Sequence, residues 1–158
     1  MKKVNFLVKL ANEGKLQAIE PNEDIKTAYL QKSGKSLSSA KALLEIGNLE
    51  DSVALAYYAM YHCLLALLFR VGVKCENHAA AIIILKAVFG LDNSEISKAK
   101  SDRVDKQYYV DFVIGKEETS ESIAVAEEFI ANLTDFMARI TEEEIKGYRE
   151  AAIRIMSP

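Results

Sequence analysis

The chain has 158 residues, half of them hydrophobic and 27% charged, with a formal net charge of −3. It is long enough for one domain with a substantial core, and too apolar to be a disordered tail or a polar linker. The small acidic excess gives no overall basic field, which excludes broad charge-driven binding of nucleic acid but leaves room for a local basic patch.

The N-terminal stretch MKKVNFLVKLANEGK begins basic, as a signal peptide does, but Lys9 breaks its apolar run and no small-residue cleavage site follows. Phe6, Leu7 and Leu10 share one face of a short amphipathic helix that Gly14 ends. Residues 1–21 are therefore read as a leading amphipathic helix that closes at Pro21, and residues 22–158 as a helical bundle. The first bundle helix is predicted from Glu23 to Ile46. Ile25, Tyr29, Leu37, Ala40 and Leu44 recur at helical spacing, and Gly47 supplies a left-handed stop. The second follows Asn48 as N-cap, carries Glu50 and Asp51 in its first turn, and ends at Gly72. A third, shorter helix starts after Asn77 and ends near Gly90. The fourth opens at Asn93 or Ser94 and turns Ile96, Ala99, Val104 and Tyr108 inward. The fifth opens at Thr119 or Ser120, with Ile123, Ala126, Ile130, Leu133, Met137 and Ile140 as its stripe. Thr141, followed by Glu142, Glu143 and Glu144, restarts or bends it. No segment alternates apolar and polar residues over a useful length, so no strand is expected. The fold class is all-α, an up-and-down bundle of four or five helices.

The least polar stretch is SVALAYYAMYHCLLALLFRVG, residues 52–72. As a helix it would be about 32 Å long, enough to cross a bilayer. Its composition argues otherwise. His62 lies at the middle with Tyr57, Tyr58 and Tyr61, whereas interfacial tyrosines belong at the ends of a span. It is read instead as the central helix of the bundle, with no membrane as partner. Apolar on nearly every side, it needs neighbours all round. Leu64, Leu65, Leu68 and Phe69 suit the core. The tyrosines and His62 suit a semi-polar seam between subunits, so a homodimer with twofold symmetry is expected. Cys63 and Cys75 have no CxxC or metal-ligand spacing and are read as reduced cysteines of a cytoplasmic protein.

Residues 39–82 carry further information: Ser39-Ala40, then Leu43-Leu44, Gly47, Asp51-Ser52, the block Ala56-Tyr57-Tyr58-Ala59-Met60-Tyr61-His62, and Gly72 before His78. This pattern closely resembles the signature of HEPN domains, small helical domains often found beside nucleotidyltransferases. Downstream, SDRVDKQYYVDF looks like the family's Arg-containing segment and SIAVAEEFIANL like its closing helix, so the likeness covers about residues 23 to 140. It implies a bundle that dimerises through its central helices. It also implies a member of a toxin–antitoxin-like or defence pair, acting with a nucleotidyltransferase-family partner and binding RNA or nucleotide at a dimer cleft. Catalytic relatives are metal-independent endoribonucleases carrying an Arg and, a few residues on, a His. The His moves a proton at the ribose hydroxyl, and the Arg stabilises charge building on phosphorus. Arg103 matches the Arg, but Gln107, Tyr108 and Tyr109 stand where the His should be. A phenol titrating near pH 10 is a poor base at neutral pH. The catalytic candidates are thus Arg103, Tyr108 and His78, and the nucleotide-binding candidates Arg103, Tyr108 and Tyr109. A non-catalytic interaction or nucleotide-binding module is the alternative.

Each candidate has a plainer reading. His78 falls in the first turn of a helix, where the dipole would keep it neutral as a base requires, yet a surface or capping histidine would look the same. His62 is read as a hydrogen-bonded residue of the bundle or its seam. Arg103 lies among Lys98, Lys100, Lys106, Asp102 and Asp105, an alternation that usually marks a solvated, self-paired helix face. Two histidines without closely spaced carboxylates make no zinc site, and neither is preceded by a Glu three residues earlier, so no metal or other cofactor is expected.

Overall fold

A computed structural model describes residues 2–108 and 113–158 of the chain; side chains of residues 2–4 and 105–108 are outside that description. The described residues form seven helices and one two-stranded sheet. The helices are α1 (Lys2–Asn12), α2 (Glu23–Glu45), α3 (Leu49–Val71), α4 (His78–Ala87), α5 (Ser94–Tyr108), α6 (Lys116–Arg139) and α7 (Glu142–Met156). The all-α bundle expected from the periodicity is the fold found.

The helix starts follow local capping chemistry. Asn22 Oδ1 accepts the Ile25 N–H at 3.0 Å, and Asn77 Oδ1 accepts the Ala80 N–H at 2.9 Å, each satisfying a backbone donor that the helix leaves open. Asn48 precedes α3 as expected but caps differently. Its amide donates to Asp51 Oδ2 at 2.9 Å and accepts no backbone N–H. Helix α6 begins at Lys116, before the expected Thr119. The Thr119 hydroxyl donates back to the Gly115 carbonyl at 2.9 Å and is buried inside the first turn. Thr141 does restart the chain as a separate helix. Its hydroxyl accepts the Glu144 N–H and the Glu144 carboxylate accepts the Thr141 N–H, both at 3.1 Å, which is a complete capping box.

The expectation of no strand is corrected by β1 (Leu16–Ala18) and β2 (Val73–Cys75), which pair antiparallel with Leu16 opposite Cys75. Three residues are too few to show a period of two. The ladder is extended on both sides, by Glu76 N–H to Lys15 O at 2.9 Å and by Ile19 N–H to Gly72 O at 2.8 Å. Arg149 Nε of α7 donates to the Ile19 carbonyl at 2.9 Å. Leu7, Leu10 and Leu16 are buried in the same core as α3, and α1 packs on α7.

Helix α3 is the axis of the molecule. Helix α2 lies along it, with α6 and α5 on its other sides and α4 and α7 against its C-terminal half. It alone among the described helices is long and apolar enough to cross a membrane, and 83% of its most apolar window is buried by the other elements. Leu64, Leu67 and Leu68 are fully enclosed, each worth about 1.5–3 kcal/mol of burial. Two buried hydroxyls clamp α2 to α3: Ser33 Oγ donates to the Ala59 carbonyl at 2.7 Å, and Ser52 Oγ to the Ala40 carbonyl at 2.6 Å.

Candidate functional site

Tyr57, Tyr58 and Tyr61 leave α3 within one turn, at spacings that send their rings toward the gap between the start of α4 and the middle of α5. His78 enters this gap as the first residue of α4, placed there by the Asn77 cap and by β2 just before it. Its Nδ1 lies 2.7 Å from the Tyr57 hydroxyl, and its ring stacks on Tyr61 at a centroid distance of 3.8 Å. Arg103 comes from the face of α5 that it shares with Ile96 and Ala99. Its Nη1 donates to the Tyr58 hydroxyl at 3.2 Å, and its guanidinium carbon lies 5.4 Å and 5.5 Å from the Tyr57 and Tyr58 ring centres. The cation is therefore held over two aromatic faces. His78 and Arg103, far apart in sequence, meet on the same tyrosine.

The electrostatics follow from this packing. Burial, then the positive charges of Arg103 and Lys100, hold His78 below the usual histidine range, so the imidazole is neutral at neutral pH. Burial, not the helix dipole anticipated from sequence, leads the causes. Burial also pushes the Tyr57 phenol up, with Arg103 only partly opposing it, so that hydroxyl stays protonated. A buried O–H needs an acceptor, and among the described residues His78 Nδ1 is the one in reach. Tyr57 therefore donates to Nδ1, which places the imidazole proton on Nε2. In this state His78 offers an outward N–H donor and no basic nitrogen.

Arg103 is similarly poised. Its Nε is buried and has no hydrogen-bond partner among the described residues. The carboxylate beside it, Asp102, is taken by Lys98 at 3.1 Å. The self-paired face read from the charge alternation thus holds for Lys98 and Asp102, while Arg103 turns inward to Tyr58; the Asp105 side chain lies outside the described residues. Tyr109 lies outside the described residues, as does the Tyr108 side chain at the end of α5, so their expected roles have no geometry here.

The tyrosines themselves correct the sequence reading. Tyr57 and Tyr61 are 0% and 6% exposed within a single chain, covered by α4 and α5, and do not form a subunit seam. Tyr58 and His62 stay half-buried, their rings 6.2 Å apart and stacked. His62 Nδ1 is buried without a hydrogen-bond partner among the described residues. Burial and then Lys32 and His78 lower its pKa as well. No group of three or more His, Cys, Asp or Glu side chains among the described residues is placed to hold a metal ion. Arg70, the arginine upstream of His78, is committed elsewhere, to Glu23 at 2.7 Å and Glu142 at 3.7 Å.

UPF0332 protein PH1297 of Pyrococcus horikoshii is 40% identical over 63 residues, a stretch covering 40% of this chain and 42% of that protein. The chain thus matches less than half the length of this curated relative. The family model described as the HEPN domain matches residues 27–136, most of the chain and all of the cluster: Tyr57, Tyr58, Tyr61, His78 and Arg103. The chain belongs to the HEPN domain family.

Proposed function

We propose that this HEPN protein binds the phosphate of RNA or of a nucleotide at the His78–Arg103 cluster, in a cleft completed by a second copy of the chain. The carrying observation is the state of Arg103. It is a partly buried guanidinium whose Nε has no partner among the described residues, beside an imidazole that is neutral and presents an N–H. Among the described residues no carboxylate pairs with this inward cation, an arrangement that is costly and that an anion would complete. The planar fork of Arg suits phosphate oxygens, and His78 Nε2–H adds a second donor beside it.

The dimer is supported by the surface of α3. Leu55, Tyr58 and His62 are half-buried at spacings of three and four residues, whereas Leu65 and Phe69, the next positions on that face, are buried by the chain itself. A twofold partner packed on this line would bring two Tyr58–Arg103 pairs to opposite walls of one cleft. A nucleotidyltransferase-family partner, in a toxin–antitoxin-like or defence pair, remains part of this reading on the strength of the family resemblance.

A second reading, metal-independent endoribonuclease, is favoured by the shared contact of His78 and Arg103 with Tyr57. Arg103 would stabilise charge on phosphorus while His78 moves the proton. It requires Tyr57 to rotate and accept from Nδ1–H, freeing Nε2 as a base. The test is anisotropy of a labelled oligoribonucleotide in chelator, with wild type, Arg103→Ala and His78→Ala. Arg103→Ala should weaken binding by about tenfold or more, the loss of a charge-assisted contact. Absence of wild-type binding would refute the phosphate site. Strand cleavage that vanishes with either substitution would make the enzyme reading the correct one.

A further inference from the structure

Between α4 and α5, beside the cluster, runs a groove of about 480 Å³, within the range of small-molecule pockets, roughly 300–1,000 Å³. Its composition is graded. Ala79, Ile82 and Ile83 line it from α4, and Val104 adds an apolar side chain from α5. Ser97, Ser101 and Lys100 line the opposite wall, along one face of α5. Asn93 closes the far end. Its amide nitrogen is used on the Ile82 carbonyl at 2.9 Å, which fixes the side chain and leaves its carbonyl oxygen to accept.

The position of this groove matters as much as its lining. Ala79 directly follows His78, and Val104 directly follows Arg103, so the groove opens where the cluster ends. Lys100 lines the groove and is one of the charges acting on His78, so its ammonium serves both regions. No carboxylate is among the described lining residues, unlike the cleft on the other side of Tyr57, which carries Glu95, Asp102, Glu118 and Glu121. An anionic ligand is accommodated on the first side and repelled on the second.

We propose that this groove seats the nucleoside of the nucleotide unit whose phosphate lies at Arg103 and His78. The inference rests on the phosphate reading above and adds the second half of the ligand. The apolar side chains Ala79, Ile82, Ile83 and Val104 suit the face of a base, and the Ser97 and Ser101 hydroxyls suit the ribose hydroxyls. The Asn93 carbonyl oxygen accepts from a base amino group, while Lys100 lies toward the phosphate. The same unit could be a free nucleotide or one residue of an RNA strand.

Titration calorimetry on the full chain tests this with inorganic phosphate, the four ribonucleoside 5′-monophosphates and an oligoadenylate. At least one monophosphate should bind about tenfold tighter than inorganic phosphate. Ser97→Leu and Ser101→Leu, both at exposed positions that tolerate a larger side chain, should abolish that advantage and leave phosphate binding unchanged. Arg103→Ala should weaken both ligands. Equal wild-type affinity for phosphate and every monophosphate would overturn the groove assignment while the phosphate site stands. Retention of the advantage in both leucine variants would overturn it too. No wild-type binding of any ligand would remove the phosphate site and the groove with it. Oligoadenylate binding tighter than the monophosphate, and weakened by Ser101→Leu, identifies an RNA residue as the occupant; equal binding identifies a free nucleotide.

Discussion

Tyr57 is the residue on which the cluster depends, because its ring carries the Arg103 guanidinium while its hydroxyl fixes the His78 tautomer. Tyr57→Phe keeps the ring and deletes the hydroxyl, leaving Nδ1 without its donor. It should cost about 1–2 kcal/mol of stability, read as a lowered melting temperature. The histidines also give the fold a definite pH dependence. His62 and His78 both have folded pKa values lowered from 6.5, so the unfolded chain takes up protons first as the pH falls. Their contribution is therefore fully present above about pH 6.5 and is lost toward their lower folded pKa values. Melting temperature should rise from about pH 5 to about pH 6.5 and then level off, and His78→Gln should flatten part of that slope. A slope unchanged by His78→Gln would show that His78 is not the neutral, enclosed group described. The sequence singled out both ends of this cluster but not their meeting. Arg103 stood out by family resemblance and His78 by its place after a capping Asn. The Tyr57–His78 bond spans 21 residues and the Arg103–Tyr58 bond 45, and no local pattern encodes such pairings. The inward turn of Arg103 was hidden for a related reason. Charge alternation along α5 identifies which side chains are able to pair, but the choice is made by the neighbouring helix.

Among the elements, the end of α3 is the tightest junction. Gly72 has φ +89°, and a Cβ there would collide with the Ile19 carbonyl oxygen and press on Arg149 Nε and Pro21 N. The same residue accepts the Ile19 N–H, so the turn out of α3, the small sheet and α7 are fixed together. Gly47, after α2, has a similar φ of +82° but open space around its Cβ position. Gly47→Ala should cost only the left-handed conformation, about 1–2 kcal/mol. Gly72→Ala adds a backbone collision and should cost more, about 3 kcal/mol or above. Chemical denaturation of the two variants side by side measures the difference, and equal losses would show that the junction yields easily. Both glycines were legible as helix stops, and the helices between them followed from apolar spacing. What the spacing could not reveal was the use made of the second stop. A three-residue strand carries no period, and its partner lies on the far side of two helices. The early start of α6 was hidden for another reason: a threonine that could cap a helix can equally bond back to the carbonyl four residues before it.

At the scale of the whole molecule, the packing of α3 decides what a second copy is left to cover. Had the tyrosines all faced outward, the seam would be broad and wet. With Tyr57 and Tyr61 enclosed, and Leu65 and Phe69 buried further along, the remaining line is narrow: Leu55, Tyr58 and His62. Tyr29 of α2 flanks it, stacked on Phe69 at 5.5 Å and 5.9 Å from His62. Such a line mixes apolar side chains with polar tips, and the unpartnered His62 Nδ1 lies within it. A partner packed there gains apolar contact and also brings polar atoms within reach of that nitrogen. Sedimentation equilibrium should therefore show a dimer for the wild type. Leu55→Asp, half-buried and away from the cluster's hydrogen bonds, should give a folded monomer with a lowered melting temperature, because the charge falls on the seam and Leu55 also packs against the core. The same variant should bind oligoribonucleotide about tenfold more weakly, since separation of the copies leaves each Arg103 with half of its cleft. A Leu55→Asp monomer with undiminished affinity would locate the whole binding site within one chain, and the dimer would then have to be explained by something other than the cleft.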